Sequence, residues 1–171
     1  ADGTGGILRL ESVDEVTLIG GPSANSYTVT NWSGTVTLDG KGGSDRYAVG
    51  VGTVSGLNLS DNGLDPLDED RLIALGTDGD DIITVTTTEV IVGGKSLACD
   101  GASIEVLTVG GLGGNDVITV EGVGASEVTL DGGWGNDTYL VNLPDSTANL
   151  YVYDSGNLDN DHLQVIGGDN D

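Results

Sequence analysis

A twelve-residue unit recurs along this chain and restricts the folds open to it. Residues 130–141 read LDGGWGNDTYLV. Aligned with them on the same Asp are 38–49 (LDGKGGSDRYAV), 74–85 (ALGTDGDDIITV) and 109–120 (VGGLGGNDVITV). A degenerate copy at 18–29 (LIGGPSANSYTV) has Asn25 for the Asp and Ser23 for a glycine, and another near 156–164 (GNLDNDHLQ) keeps Asp161 and Leu163. Each unit reads as a turn followed by a strand. Glycine lets the backbone enter left-handed and close-approach conformations, Asp and Asn favour turns, and the alternation after the Asp sends residues such as Tyr139 and Val141 to one face. Such a unit cannot bury its apolar face alone and must stack on its neighbours.

The units belong to a larger duplication. VTLDGKGGSDRYAV at 36–49 and VTLDGGWGNDTYLV at 128–141 share nine of fourteen residues. Asn25 pairs with Asp116 and Asp70 with Asp161 at a separation of 91, and Asp45 with Asp137 at 92. The chain therefore reads as one elongated domain, 1–171, built of two pseudo-repeats, 1–80 (shortened at its N-terminal side) and 81–171. With one corner residue marked per coil, Asn25, Asp45, Asp61, Asp81, Asp100, Asp116, Asp137, Asp154 and Asp171 advance in steps of 16 to 21. That step suits one coil of a β-solenoid. Short strand candidates fall at 15–19, 27–30, 35–38, 47–49, 56–59, 71–75, 82–86, 89–92, 104–109, 117–120, 127–130, 138–141, 149–153 and 162–166. Nowhere do apolar residues recur at helical spacing over three turns, so the class is all-β.

Residues 132–140, GGWGNDTYL, match G-G-x-G-x-D-x-U-x at every fixed position, U being a large apolar residue. In this the chain resembles the RTX, or hemolysin-type, calcium-binding repeat proteins. Three further units depart from the pattern only at its second glycine, where Lys41, Thr77 and Leu112 stand. The resemblance implies calcium held in the loops. Tandem nonapeptides build the tight β-roll of that family, whereas these motifs lie 20 to 36 residues apart, so the loop chemistry carries over and the tight roll does not. The expected fold is a wider, right-handed parallel β-helix with Gly/Asp calcium loops along one edge. The alternative is two tandem small β-sandwiches, one per pseudo-repeat.

Charge agrees with cation binding. Twenty-eight Asp and Glu against five Lys and Arg give a net charge of −23, which makes nucleic acid and anionic membranes poor partners. The acidic residues concentrate in Gly- and Asn-containing turns. Calcium takes six to eight hard oxygen ligands, and the chain offers oxygen and little else, with one His and one Cys. The expected ligands of several Ca2+ ions are Asp45, Asp81, Asp116 and Asp137, assisted by Asp39, Asp78, Asp80, Asp131, Asp154, Asp159 and Asp161. Gly-Asn-Asp is also a good turn sequence, but turns alone do not require Asp in one register with an apolar residue two positions later. The run DPLDED at 65–70 is either a further site or a solvated insertion.

Other chemistries find no support. His162 lies in a polar turn and no G-x-S-x-G elbow accompanies it, while GGLGG at 110–114 is followed by neither helix nor basic residue; no enzyme activity is expected. Trp32 and Trp134 fall in turns and are expected outside the core, where either could stack on a sugar. No apolar run is long enough to cross a membrane, and the single Cys99 allows no internal disulfide. The absence of Met, even at position 1, points to removal of a leader peptide or to a larger parent protein. The expected function is an extracellular calcium-binding structural module, secreted or on a cell surface, serving as a subunit of a fibre, matrix or adhesin. The alternative is a carbohydrate-binding or polysaccharide-processing accessory module. IGGDND at 166–171 opens another loop without its strand, and the first pseudo-repeat lacks its beginning, so head-to-tail self-association through the chain ends is expected.

Overall fold

The computed structural model describes residues 13–63, 67–99, 104–143, 147–157 and 159–167. The run begins with β1 (Glu15–Ile19), β2 (Ser26–Val29), β3 (Thr35–Asp39), β4 (Arg46–Gly50) and, after a 3-10 turn at Val51–Thr53, β5 (Gly56–Ser60). There follow β6 (Arg71–Leu75), β7 (Ile82–Val85), β8 (Glu89–Val92), β9 (Lys95–Cys99) and β10 (Val106–Gly113). The last are β11 (Val117–Val120), β12 (Glu127–Trp134), β13 (Thr138–Leu143), β14 (Asn149–Val152) and β15 (His162–Gly167). The corner candidates Asp100 and Asp171, Asp65 of the acidic run, and most of the two terminal segments lie outside the described residues.

The chain winds between two sheets. One has nine strands in the order β1-β3-β5-β9-β8-β7-β11-β13-β15, the other six in the order β14-β12-β10-β6-β4-β2. All ladders of the six-stranded sheet are parallel, and in the nine-stranded sheet only β7–β8 and β8–β9 are antiparallel. This is the expected β-solenoid. Tandem sandwiches are excluded, because both sheets run unbroken from one pseudo-repeat into the other, through β6–β10 and through β5–β9.

Parallel, in-register stacking explains why the alternation of the units suffices to build a core. Leu18, Leu38 and Leu59 form one column across β1, β3 and β5, and Leu72, Leu107 and Val128 another across β6, β10 and β12. Leu38, Ile83, Ile118 and Leu130 are wholly buried, each such side chain stabilising the fold by about 1.5–3 kcal/mol. Trp32 corrects the expectation for the tryptophans, since it is half-buried and packs against this core. Trp134 is 66% exposed, outside the core as expected, but it is the last residue of β12 and not a turn residue.

One coil departs from the pattern. Beside the two strands expected at 82–86 and 89–92, a third, β9, completes an antiparallel meander of β7, β8 and β9 within the nine-stranded sheet. Gly93 and Gly94 turn the chain between β8 and β9 with φ of +56° and +80°, the left-handed pair that a two-residue hairpin turn requires. Strand β9 was not anticipated from sequence. The meander widens this sheet, while β6 and β10 stay adjacent in the other. Val51, which opens the 3-10 turn, and Val54, which follows it, are buried in the same core cluster as Val90, Val92 and Leu97, and Lys95 Nζ donates to the Gly52 carbonyl at 2.7 Å.

The Asp-bearing corners occupy two edges, not one. In the first pseudo-repeat they lead from the nine-stranded sheet to the six-stranded one, as at β3–β4 and β5–β6; in the second they lead back, as at β10–β11 and β12–β13. Parallel coils place these two kinds of crossing on opposite edges. Equivalent strands of the two pseudo-repeats, such as β3 and β12, accordingly lie in different sheets. The second pseudo-repeat is turned half a revolution about the solenoid axis relative to the first.

Candidate metal centres

On each edge the corner residues form a ladder in which a side-chain oxygen accepts the backbone N–H of the corner one coil earlier. On the first edge Asp45 accepts from Asn25 at 2.5 Å, Asp70 from Asp45 at 2.7 Å, and Glu105 from Asp70 at 2.8 Å. On the second, Asp116 accepts from Asp81, Asp137 from Asp116, and Asp161 from Asp137, at 2.7, 2.7 and 2.9 Å. One carboxylate oxygen per rung therefore fixes the stacking of coils. The other is left for different work.

Two triads of carboxylates gather where these ladders meet the next corner strand. Asp45, Asp61 and Asp70 form one, and Asp137, Asp154 and Asp161 the other, with an oxygen from each member within 4.8 Å of the others. They are equivalents in the duplication. Each has a tyrosine two positions after the ladder Asp: Tyr47 donates to Asp61 Oδ2 at 2.6 Å, and Tyr139 to Asp154 Oδ2 at 2.7 Å. Asp45 Oδ2 and Asp137 Oδ2 are buried and have no hydrogen-bond partner, although both residues are only 1% exposed. An ionised oxygen so placed is costly unless a cation meets it. At the 4.8 Å limit, like charges repel by roughly 3 kcal/mol per pair at an effective dielectric of 20. An all-oxygen, carboxylate-rich set suits a hard cation better than a soft one. Both triads could hold a metal ion.

Electrostatics mark the same positions. Burial, opposed by the Asn25 N–H and reinforced by Asp61 and Asp70, pushes Asp45 up to about 6. Asp70 and Asp116 rise to about 6 for the same leading reason, burial, and Asp137 is also raised. Tyr47 and Tyr139 are raised by burial and by the carboxylates they donate to, so both hydroxyls keep their protons.

The motif glycines now have separate reasons. A Cβ on Gly40 would collide with Asp45 Oδ2 and the Tyr47 hydroxyl, and one on Gly132 with Asp137 Oδ2 and, at 2.6 Å, the Tyr139 hydroxyl. The first glycine is the floor of the site. The fourth, at Gly43, Gly114 and Gly135, has φ of +93°, +109° and +130° and runs against the backbone of the preceding coil. The second is left-handed in Gly133 (φ +97°), and Lys41 (φ +78°) and Leu112 (φ +83°) adopt the same conformation despite their side chains.

The remaining expected ligands serve the loops. Asp81 caps its own corner, accepting from the Thr77 N–H at 2.6 Å and Thr77 Oγ1 at 2.9 Å. Asp116 has a buried, unpartnered Oδ2 but belongs to neither triad. Asp80 accepts from the Asn115 N–H at 2.7 Å, Asp131 from Ser155 at 2.9 Å and Asp159 from Gly135 at 3.3 Å. Asp39 is buried with a 2.7 Å ion pair to Lys41, and Asp78 is exposed. Asp61 and Asp70, absent from the expected ligands, complete the first triad. They are 93 and 91 residues from Asp154 and Asp161, so the duplication itself pointed to them. No family model, curated protein or solved structure matches this chain.

Proposed function

We propose that this chain is a calcium-binding structural module of the extracellular space, a subunit of a fibre, matrix or adhesin assembled head to tail. The reading is supported above all by the buried, unpartnered oxygens of Asp45 and Asp137, each facing two further carboxylates. The RTX-like loops favour calcium among the hard cations. Its task is mechanical: without a cation the triads repel, and with one each triad joins successive coils, so binding free energy becomes folding free energy. Extracellular calcium modules bind at roughly 10⁻⁴ to 10⁻³ M, which delays locking of the coils until export.

Thermal unfolding followed by circular dichroism, in calcium and in excess chelator, tests this together with titration calorimetry. At about a hundredfold excess over the dissociation constant, each site stabilises the fold by roughly 2.7 kcal/mol. Asp45→Asn and Asp137→Asn are each expected to remove one site from the calorimetric titration. A melting curve indifferent to chelation, with no heat of calcium binding, would overturn the proposal.

A further inference from the structure

Inside the chain, the last strand of the first pseudo-repeat, β6, pairs with β10 of the second, which follows the β7–β9 meander. The register pairs Leu72 with Leu107, Ile73 with Thr108, Ala74 with Val109 and Leu75 with Gly110, and the Asp70 N–H donates to Glu105 Oε2. The 91-residue offset that relates Asp70 to Asp161 carries β6 onto β15, and the same offset carries β10 back onto β1, with Glu105 falling on Asp14. Among the described residues these two are the outer strands of the nine-stranded sheet.

We propose that β15 of one chain pairs in parallel with β1 of a second copy, in the register of the internal β6–β10 junction; this rests on the head-to-tail part of the reading above. Leu163 then meets Val16, Gln164 meets Thr17, Val165 meets Leu18 and Ile166 meets Ile19. The apolar content fits. Leu163 and Val165 continue the inward columns of Tyr139 and Val141, yet are 49% and 53% exposed. On the outer face, Ile166 and Ile19 are 50% and 64% exposed and become cross-strand neighbours. Because each pseudo-repeat turns half a revolution, two of them restore the starting orientation, so the nine-stranded sheet of one chain continues into the nine-stranded sheet of the next.

Asp14 is the polar half of the junction. It immediately precedes β1, and its carbonyl accepts the Thr35 N–H at 2.8 Å as the Asp116 carbonyl accepts that of Thr138. Its carboxylate is exposed and stands where a ladder rung belongs, on the edge that carries Asp137 and Asp161. In the joined pair it accepts the Asp161 N–H. A further carboxylate thus comes to the Asp137, Asp154 and Asp161 triad, whose outer members are less buried than those of the first triad. Association through this junction accordingly requires the cation.

The test uses the full chain with Cys99→Ser, Thr17→Cys and Gln164→Cys, mildly oxidised in calcium and analysed on a non-reducing gel beside sedimentation of the uncrosslinked protein. A ladder of covalent dimers, trimers and larger species is expected. A pairing of Thr17→Cys with Thr119→Cys, in the middle of the stack, is expected to give none. Leu163→Asp should leave the β spectrum intact and the protein monomeric in calcium, and Asp14→Ala should weaken association about tenfold. Large species that fail to crosslink through positions 17 and 164 would overturn this register and leave head-to-tail assembly standing. A strictly monomeric protein in calcium would overturn both.

Discussion

Gly132 and Gly135 are three residues apart in the same loop, yet their side-chain hydrogens face different obstacles. Beyond Gly132 lie the carboxylate of Asp137 and the hydroxyl of Tyr139, the movable ends of side chains; beyond Gly135 lies the backbone of Gly114 and Asn115. Gly132→Ala is therefore expected to keep the fold in chelator and to weaken calcium binding at the second triad tenfold or more, because Asp137 is pushed from its place. Gly135→Ala, at a φ of +130°, is expected to lower stability by about 2 kcal/mol or more whether or not calcium is present. Paired melting curves and calorimetric titrations separate the two. Equal losses of affinity in both variants would show that the first glycine is not the floor of a binding site.

Among elements, the meander of β7, β8 and β9 is the part that owes least to the Asp ladders. Leu97 is wholly buried on β9, so Leu97→Ala is expected to cost about 2–5 kcal/mol while calcium affinity per folded molecule stays unchanged, as denaturant titrations and calorimetry would register. The same element shows where the sequence ceases to be readable. Strand positions such as Thr138 onward were legible because an Asp-led turn is followed by strict alternation. The hairpin was not, although Gly93-Gly94 is a strong turn signal, because Lys95-Ser96-Leu97-Ala98 carries little β propensity and is held in place by Leu57 and Val90 on its flanks. Asp45 and Asp137 could be picked from their loops alone. Asp61 and Asp70 could not, since they lie outside the nonapeptide; only their offsets from Asp154 and Asp161 in the duplication pointed to them, and stacking brings them to the site. The split of the loops between two edges depends on how often the chain crosses between sheets, which no local pattern encodes.

For the whole molecule, a cation held by the triads would compete with protons for the same oxygens. Asp45, Asp70 and Asp116 rise from 3.8 to about 6 on folding, chiefly through burial, so the native state holds protons that the unfolded chain has already lost between those values. In chelator, stability is thus expected to fall as pH rises from about 4 through 6; in saturating calcium the trend should flatten, because the cation replaces the protons of Asp45 and Asp70. Melting temperatures from pH 4.5 to 7.5 check the sign, and a chelated protein that grows more stable across that interval would contradict it. The unequal sheets have a further consequence. Between β5 and β11 the nine-stranded sheet contains three strands, whereas between β6 and β12 its partner contains one, an excess of two spacings or roughly 10 Å. Two layers about 10 Å apart and so mismatched in length form a wedge, as when one face of a stack of bricks is given extra courses. Each chain carries this wedge on the same sheet, so successive copies would add their deflections and trace an arc or a coil in electron micrographs, where a uniform stack would draw a straight rod.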